Sequence, residues 1–338
     1  MKMTTASSEA MTPSTPGKIT AIGWLLASEW TQNAIRLCAA PLVGIVVFLV
    51  LWSSAAANID TSLGKFPGPA EVAEQFKSLY GEHQRERDKA AAFYERQEKR
   101  NAARVAEDPD YEPRVRDYTG KETFVDQIGT SLITVMSGFV LAALVAIPFG
   151  IAIGLSKTLN AMANPVVQTF KPVSPLAWLP LVTMVVSAFY STPDPVVPKA
   201  FITSMVTVTL CCMWPMIINT SVGVAAIDRD LVNVSKVLRL RPLTHVRKIV
   251  LPASVPMIFT GMRLSLGVAW MVLIAAEMLA QNPGLGKFVW DEFQNGSSDS
   301  LARILAAVLV IGLIGFLLDR GMLTLQRFFS WDKASVAR

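Results

Sequence analysis

The sequence predicts an all-α polytopic membrane protein with about six transmembrane helices, a cytoplasmic amphipathic segment before the fifth span, and a helical insertion on the outside. Three observations carry this reading. Of 338 residues 52% are apolar and only 17% charged, against ~25% charged in ordinary soluble proteins. The apolar residues gather into runs long enough to cross a bilayer. Between two of those runs lies Asp228 to Pro252, DRDLVNVSKVLRLRPLTHVRKIVLP, where Arg229, Lys236, Arg239, Arg241, Arg247 and Lys248 outnumber Asp228 and Asp230. In a membrane protein such an excess of cations marks the cytoplasmic side. The net charge of +5 and pI near 9.1 have the same origin, because the cations sit beside apolar runs rather than on a nucleic-acid-binding face.

Residues 1–30 form a Ser/Thr/Pro-rich cytoplasmic tail, too polar to bury and expected to be disordered. The first apolar run begins too late for a secretory signal. That run, Leu37 to Ala57, has 21 residues without a charge, enough to cross ~30 Å of hydrocarbon at ~1.5 Å per residue. Residues 31–57 are therefore span 1, leaving the cytoplasm. Residues 58–126 form an external excursion with 12 Lys/Arg against 15 Asp/Glu. It exceeds the ~60 residues beyond which loop cations stop dictating the side. FPGP (Phe66 to Pro69) gives an extended exit, and Val72, Phe76 and Leu79 suit an amphipathic helix. Alternating charge from Glu82 to Glu107, with Glu95 and Lys99 at i,i+4, supports a solvated helix that Pro109 and Pro113 end. The insertion is either a landing site for a soluble partner or a solvated elaboration without a role.

Residues 127–328 form the transmembrane core. Span 2 lies within Gln127 to Ser156, where Gly138, Ala142, Ala146, Gly150 and Gly154 recur every fourth position as a close-packing seam. Span 3, Pro172 to about Tyr190, contains Pro172, Pro175 and Pro180, so its start is irregular or kinked. Such backbone is tolerated at membrane depth where protein or a watery cavity surrounds it, which makes the segment a candidate pathway lining. The turn Ser191 to Lys199 is external. Span 4 lies within Ala200 to Ile227 and carries Ser204, Thr207, Thr209, Trp214 and Asn219. Hydroxyls in such a helix more often bond their own backbone than a substrate. Span 5 runs from about Pro256 to Leu279, with Gly261, Ser265 and Ala269 as a second small-residue stripe. Arg263 is expected to snorkel to the inner surface, with Glu277 ~21 Å further along, near the outer surface. Gln281 to Ser300 is an external loop. Span 6, Ile304 to about Leu318, returns the chain to a basic cytoplasmic tail at residues 329–338.

Segment 228–252 is read as a short helix, a break before Pro242, and a second helix from Thr244 to Val250. Leu231, Val234, Val237 and Leu238 share one apolar stripe. Chemistry is also bounded. Cys38, Cys211 and Cys212 lie in or beside apolar runs as small buried hydrophobes, and His83 and His245 lie in unrelated segments, so neither a His/Cys metal cluster nor a histidine triad assembles. GLGK (Gly284 to Lys287) lacks the first Gly and the Ser/Thr of a phosphate-binding loop.

The helix, the break, the second helix and the closing Leu251-Pro252 resemble the coupling segment of bacterial ABC importer permeases. Asn233, Val234 and Ser235 stand where that family usually has Glu-Ala-Ala, and Arg239 stands where it has Gly. The likeness continues through FKPVSPLAWLPL (Phe170 to Leu181), FTGMRLSLGVAW (Phe259 to Trp270), AAEML (Ala275 to Leu279), PGLGKFVWD (Pro283 to Asp291) and LLDR (Leu317 to Arg320). It is closest to the branch serving nitrate, with permeases for bicarbonate, cyanate, taurine and sulfonates next.

The resemblance implies the importer permease fold in a bacterial inner membrane with both termini cytoplasmic. It further implies a homodimer, two ATPase subunits that carry ATP and Mg, and a periplasmic or lipid-anchored substrate-binding protein. This chain would then be a non-catalytic subunit without a cofactor of its own. Leu231, Val234, Ser235, Val237, Leu238, Arg239 and Arg241 would couple it to the ATPase. No Lys or Arg falls at mid-depth in a predicted span, so an anion path would use neutral donors: Ser204, Thr207, Trp214, Asn219 and Ser265. A membrane-embedded enzyme would need ionisable residues clustered at mid-depth, and a non-transporting anchor or sensor would need no such cytoplasmic segment.

Overall fold

The computed structural model describes residues 29–329 except 62–63, 109–110, 192–196 and 298, with side chains from residue 39 onward. The two expected tails, Cys38 and most of the Ser191 to Lys199 turn lie outside that set. Helix α1 (Glu29–Asn58) contains the first apolar run, and forms a unit by itself. Everything from Asp60 onward is a second unit. It opens with a two-residue hairpin, β1 (Asp60–Thr61) and β2 (Gly64–Lys65), which the sequence reading did not anticipate. Thr61 Oγ1 donates to the Gly64 carbonyl at 2.7 Å across the turn, and Gly64 takes a positive φ of 118°.

The charged excursion is one helix, α2 (Pro69–Glu107), with Pro69 in its first turn and Glu71 accepting from the Gly68 N–H at 3.0 Å. The returning chain is laced to it by Gln97, which accepts from Arg116 N–H at 2.9 Å, and by Tyr94, which accepts from Tyr118 N–H at 3.1 Å. Tyr118 donates to Glu86 at 2.7 Å and holds that carboxyl below the usual range. The base of α2 is fixed to the bundle: Glu82 pairs with Arg303 at 2.8 Å, His83 meets Thr123 at 2.7 Å, and Arg87 pairs with Asp126.

The bundle consists of α3 (Phe124–Leu155), α4 (Lys157–Phe170), α5 (Pro175–Phe189), α6 (Lys199–Ala225) and α9 (Leu251–Ala280), with α11 (Ser300–Phe329) against α9. Thr123 and Asp126 form a reciprocal capping box at the start of α3. The predicted seam packs on α6. A methyl at Gly138 would lie 2.8 Å from the Met205 carbonyl oxygen, and one at Gly154 would lie 2.6 Å from Val224 Cβ. The constant offset along the two helices makes them parallel, and lets Thr209 Oγ1 reach the Gly138 carbonyl at 3.1 Å. Helices α6 and α9 are antiparallel, with Gly223 against Met257 and Gly261 against Asn219. On the far side of α9, Trp270 donates to the Ile311 carbonyl at 3.0 Å, and Arg263 pairs with Asp319 at 2.5 and 2.9 Å. Arg263 is thus an interhelical partner rather than a side chain reaching only for the surface.

Among the described residues five helices are long and apolar enough to cross a membrane, and a sixth crossing is supplied if the bent pair α4 and α5 counts as one span. Three predicted boundaries change. Span 3 is the single helix α5, which starts at Pro175 after a break at residues 171–174, where Pro172 and Pro175 withhold N–H groups, and which is bent by 100° from α4 before it. Span 5 continues without a break from the preceding segment. Span 6 extends well beyond its apolar window in both directions, because hydropathy locates a window whereas helical hydrogen bonding continues into the polar flanks.

Glu277, expected near the outer surface, is fully buried within the protein. Both carboxylate oxygens accept from Ser131 at 2.9 Å, and one accepts from Gly286 N–H at 3.0 Å. Ser131 Oγ in turn accepts from Leu285 N–H at 2.9 Å. This clamp ties α3 and α9 to α10 (Leu285–Asn295). It also explains the glycines of PGLGK, since a methyl at Gly284 would stand 2.3 Å from the carboxylate and one at Gly286 would stand 2.1 Å from the Ile274 carbonyl. Gly284→Ala should therefore destabilise the protein by about 1–3 kcal/mol through overpacking. Gly312→Ala, on α11 with nothing within 4 Å of the new methyl, should not. Thermal unfolding of the two purified variants in detergent checks the contrast; equal melting temperatures would remove the clamp from the account.

Candidate functional site

Two regions hold the residues singled out by sequence. The first is the coupling segment, at the end of the bundle opposite α2 and α10, since it joins the end of α6 to the start of the rod containing α9. Asp228 caps α7 (Arg229–Val237) by accepting from Asp230 N–H at 2.9 Å. The helix ends in a Schellman arrangement: Leu240 N–H donates to the Ser235 carbonyl and Arg239 N–H to the Lys236 carbonyl, both at 3.1 Å. Its left-handed residue is Arg239, with φ 47°. The backbone thus adopts the glycine conformation at the family's glycine position although a Cβ there costs about 1–2 kcal/mol.

Ser235 is buried and α7 rests on the turn that follows, while Leu231, Val234, Val237 and Leu238 are 44%, 50%, 82% and 63% exposed. Arg241 caps α8 (Pro242–His245), which passes through a π-helical turn, Val246–Val250, directly into α9. The second coupling helix is therefore continuous with a membrane helix, because Pro252 falls in the first turn of α9, where a missing N–H costs little. None of the six cations of this segment is in an ion pair among the described residues. The result is a surface both apolar and cationic at one end of the bundle.

The second region is the interface of α6 and α9. Thr207 Oγ1 donates to the Thr203 carbonyl and Asn219 Nδ2 to the Pro215 carbonyl, each at 2.8 Å within its own helix. Ser204, Trp214 and Ser265 instead hold buried polar atoms without a hydrogen-bond partner. Ser204, Thr207 and Ser265 are enclosed by the helix packing, while Trp214 stacks on Phe170 with ring centroids 6.1 Å apart. Sequence reasoning missed the Glu277 clamp, although a Glu closing an apolar span seven residues before the first of two spaced glycines was its visible signal. The expected span 3 begins at Pro172 and says nothing of Lys171, which stands at the break between α4 and α5. No group of His, Cys, Asp or Glu that could hold a metal ion occurs among the described residues.

Comparison with known proteins agrees with this architecture. Residues 146–330 match the family described as binding-protein-dependent transport system inner membrane component. The chain is 35% identical to the bicarbonate transport system permease protein CmpB of Synechococcus elongatus, over 85% of this chain and 88% of that one. It is 39% identical to the nitrate import permease protein NrtB of Leptolyngbya laminosa, over 57% of this chain and 64% of that one. Among solved structures, the inward-facing MetNI methionine ABC transporter aligns with a TM-score of 0.52 at 14% identity, covering 64% of this chain and 96% of that one, a likeness of fold. The chain therefore belongs to the binding-protein-dependent transport inner membrane component family, as an ABC importer permease of the nitrate and bicarbonate type.

Proposed function

We propose that this chain forms the membrane path of an ATP-driven importer for a small planar oxyanion, with nitrate or nitrite the first substrate. The observation that carries the reading is the pair of relatives named for nitrate and for bicarbonate, two singly charged, trigonal oxyanions. Bicarbonate is the second reading, favoured by the longer match to its permease; cyanate, taurine and sulfonates follow. Two copies of the chain would enclose the path, two ATPase subunits binding ATP and Mg would dock below, and a substrate-binding protein would deliver the anion from outside. The chain itself performs no bond chemistry.

Coupling follows from the exposed stripe. An amphipathic helix outside the bilayer needs a groove for its apolar face, and Leu231, Val234, Val237 and Leu238 offer theirs beside unpaired Arg239 and Arg241. Closure of the ATPases around nucleotide would carry α7 with it, and the spans would respond as rigid bodies that open the path to alternate sides. Ser204, Thr207, Trp214, Asn219 and Ser265 would supply neutral donors as α6 and α9 shift, each hydrogen bond worth about 0.5–1.5 kcal/mol. Such modest bonds let an anion leave again.

Three measurements test this. Cysteines placed at exposed Arg100 and Lys236 should differ in intact cells, the first reacting with an impermeant thiol reagent and the second not; labelling at position 236 would reverse the topology. The double variant Val234→Asp, Leu238→Asp should insert normally yet lose substrate-stimulated ATP hydrolysis, whereas normal stimulation would place the ATPase contact elsewhere. Reconstituted with its ATPase and binding protein, the complex should accumulate labelled nitrate at the expense of ATP. Accumulation of bicarbonate or taurine without nitrate would change the substrate and keep the importer.

A further inference from the structure

The bend between α4 and α5 puts a cation where the apolar windows predicted none. Helix α6 runs from Lys199 to Ala225, so Trp214 stands ~22 Å from its start and ~16 Å from its end by helical rise. That is the middle of a membrane crossing. Phe170, the last residue of α4, stacks on Trp214 at an interplanar angle of 10°, and its other neighbour is Trp178 of α5, with centroids 5.7 Å apart. The next residue is Lys171. Its backbone N–H is bonded to Val167, but its side chain is exposed and in no ion pair among the described residues.

Among the described residues no acid pairs with Lys171. From Gln127 to Ile227 the chain contains a single acid, Asp194, in the turn before α6. Glu277 is committed to Ser131 and Gly286, and Asp319 to Arg263. Two further donors lie around the same break without acceptors: the indole N–H groups of Trp178 and Trp214 are both buried and unpartnered. The N-terminus of α5 begins there as well: Ser174 Oγ accepts from Leu176 N–H at 3.3 Å and the Ser174 carbonyl from Ala177 and Trp178 N–H at 3.0 and 3.3 Å, so what this helix start offers is its partial positive charge rather than free N–H groups. A cation beside apolar helices is costly unless something neutralises it, and unmet buried donors call for an acceptor. Interrupted membrane helices characteristically present such half-helix starts to anionic cargo.

We infer that Lys171, with the indole N–H groups of Trp178 and Trp214 and the start of α5, is the station at which the permease holds its oxyanion in mid-membrane. This rests on the importer reading above and assigns the cargo's charge to a residue of this chain. A lysine suits a transient station, because a single flexible ammonium gives a point attraction rather than the bidentate grip of a guanidinium. Covered indoles in the present conformation mean that the station opens only when α5 and α6 part.

The test is a charge series in the complete reconstituted transporter: Lys171→Arg, Lys171→Gln and Lys171→Glu. Nitrate and bicarbonate uptake are measured beside basal ATPase activity and subunit assembly. Uptake should stay within about threefold for Arg, fall about tenfold or more for Gln, and vanish for Glu, as expected for loss of a charge-assisted hydrogen bond. Assembly and basal hydrolysis should persist throughout. Wild-type uptake by the Gln variant would overturn the station, and so would equal loss in Arg and Gln, which marks a shape requirement. If the wild-type complex carries a sulfonate instead, the substrate reading falls while the same series on that anion still decides Lys171. Transport of a neutral solute without dependence on this charge would defeat both.

Discussion

The close approach of α3, α6 and α9 is the constraint on which the rest depends. In lipid, apolar side chains gain little from meeting one another, so helix association relies on van der Waals contact and short polar links. Gly138, Gly150 and Gly154 let α3 lie directly on α6, and Gly223 and Gly261 do the same between α6 and α9. Because each of these glycines abuts a side chain or carbonyl at distances that leave no room for a methyl, the three helices have a fixed register. That register sets the depth of Trp214 and of everything stacked on it. It also brings Ser131 under Glu277 near the end of α9, and Arg263 to Asp319 nearer its middle.

Much of this was legible in the sequence because it follows from periodicity. A small residue every fourth position can only be a seam, and Gly138 to Gly154 became one. The cation excess of Arg229 to Lys248 and the stripe of Leu231, Val234, Val237 and Leu238 were equally plain, and α7 carries both. What could not be read is what depends on which elements meet. Nothing local says that Glu277 finds Ser131, 146 residues away, or that Arg263 finds Asp319. Lys171 adjoins the expected start of span 3 at Pro172, and only the stacking of Phe170 on Trp214 shows that its neighbour lies beside the middle of α6. The π-helical turn was likewise invisible, since Leu251-Pro252 reads as a boundary and is instead the first turn of a helix.

The two ends of the bundle are built on different physical terms. Around Glu277 the carboxylate is met by Ser131 and Gly286 and the glycines leave no slack, which makes the α10 end stiff. At the other end the segment from Arg229 to Lys248 holds a left-handed Arg239, a row of exposed aliphatics and six cations in no ion pair among the described residues. That surface is stable enough to fold and poorly satisfied by itself. Such an asymmetry is what a docking element requires, because the free energy of its unmet contacts is released only on assembly.

Continuity of the coupling segment with α9 has a mechanical consequence. Pro242 to Ala280 is a single rod of 39 residues, roughly 58 Å at helical rise, pinned at its far end by the Glu277 clamp and midway by glycine contact with α6. A push at the near end is carried along this rod, whose helical run is marked by the π-helical turn and by Pro252 and Pro256, neither of which has an N–H to donate. The rod therefore behaves as a lever with its fulcrum at Gly261. A displacement of a few ångströms at one end becomes an opposed tilt at the other, the end of the bundle at which Arg303 anchors α2.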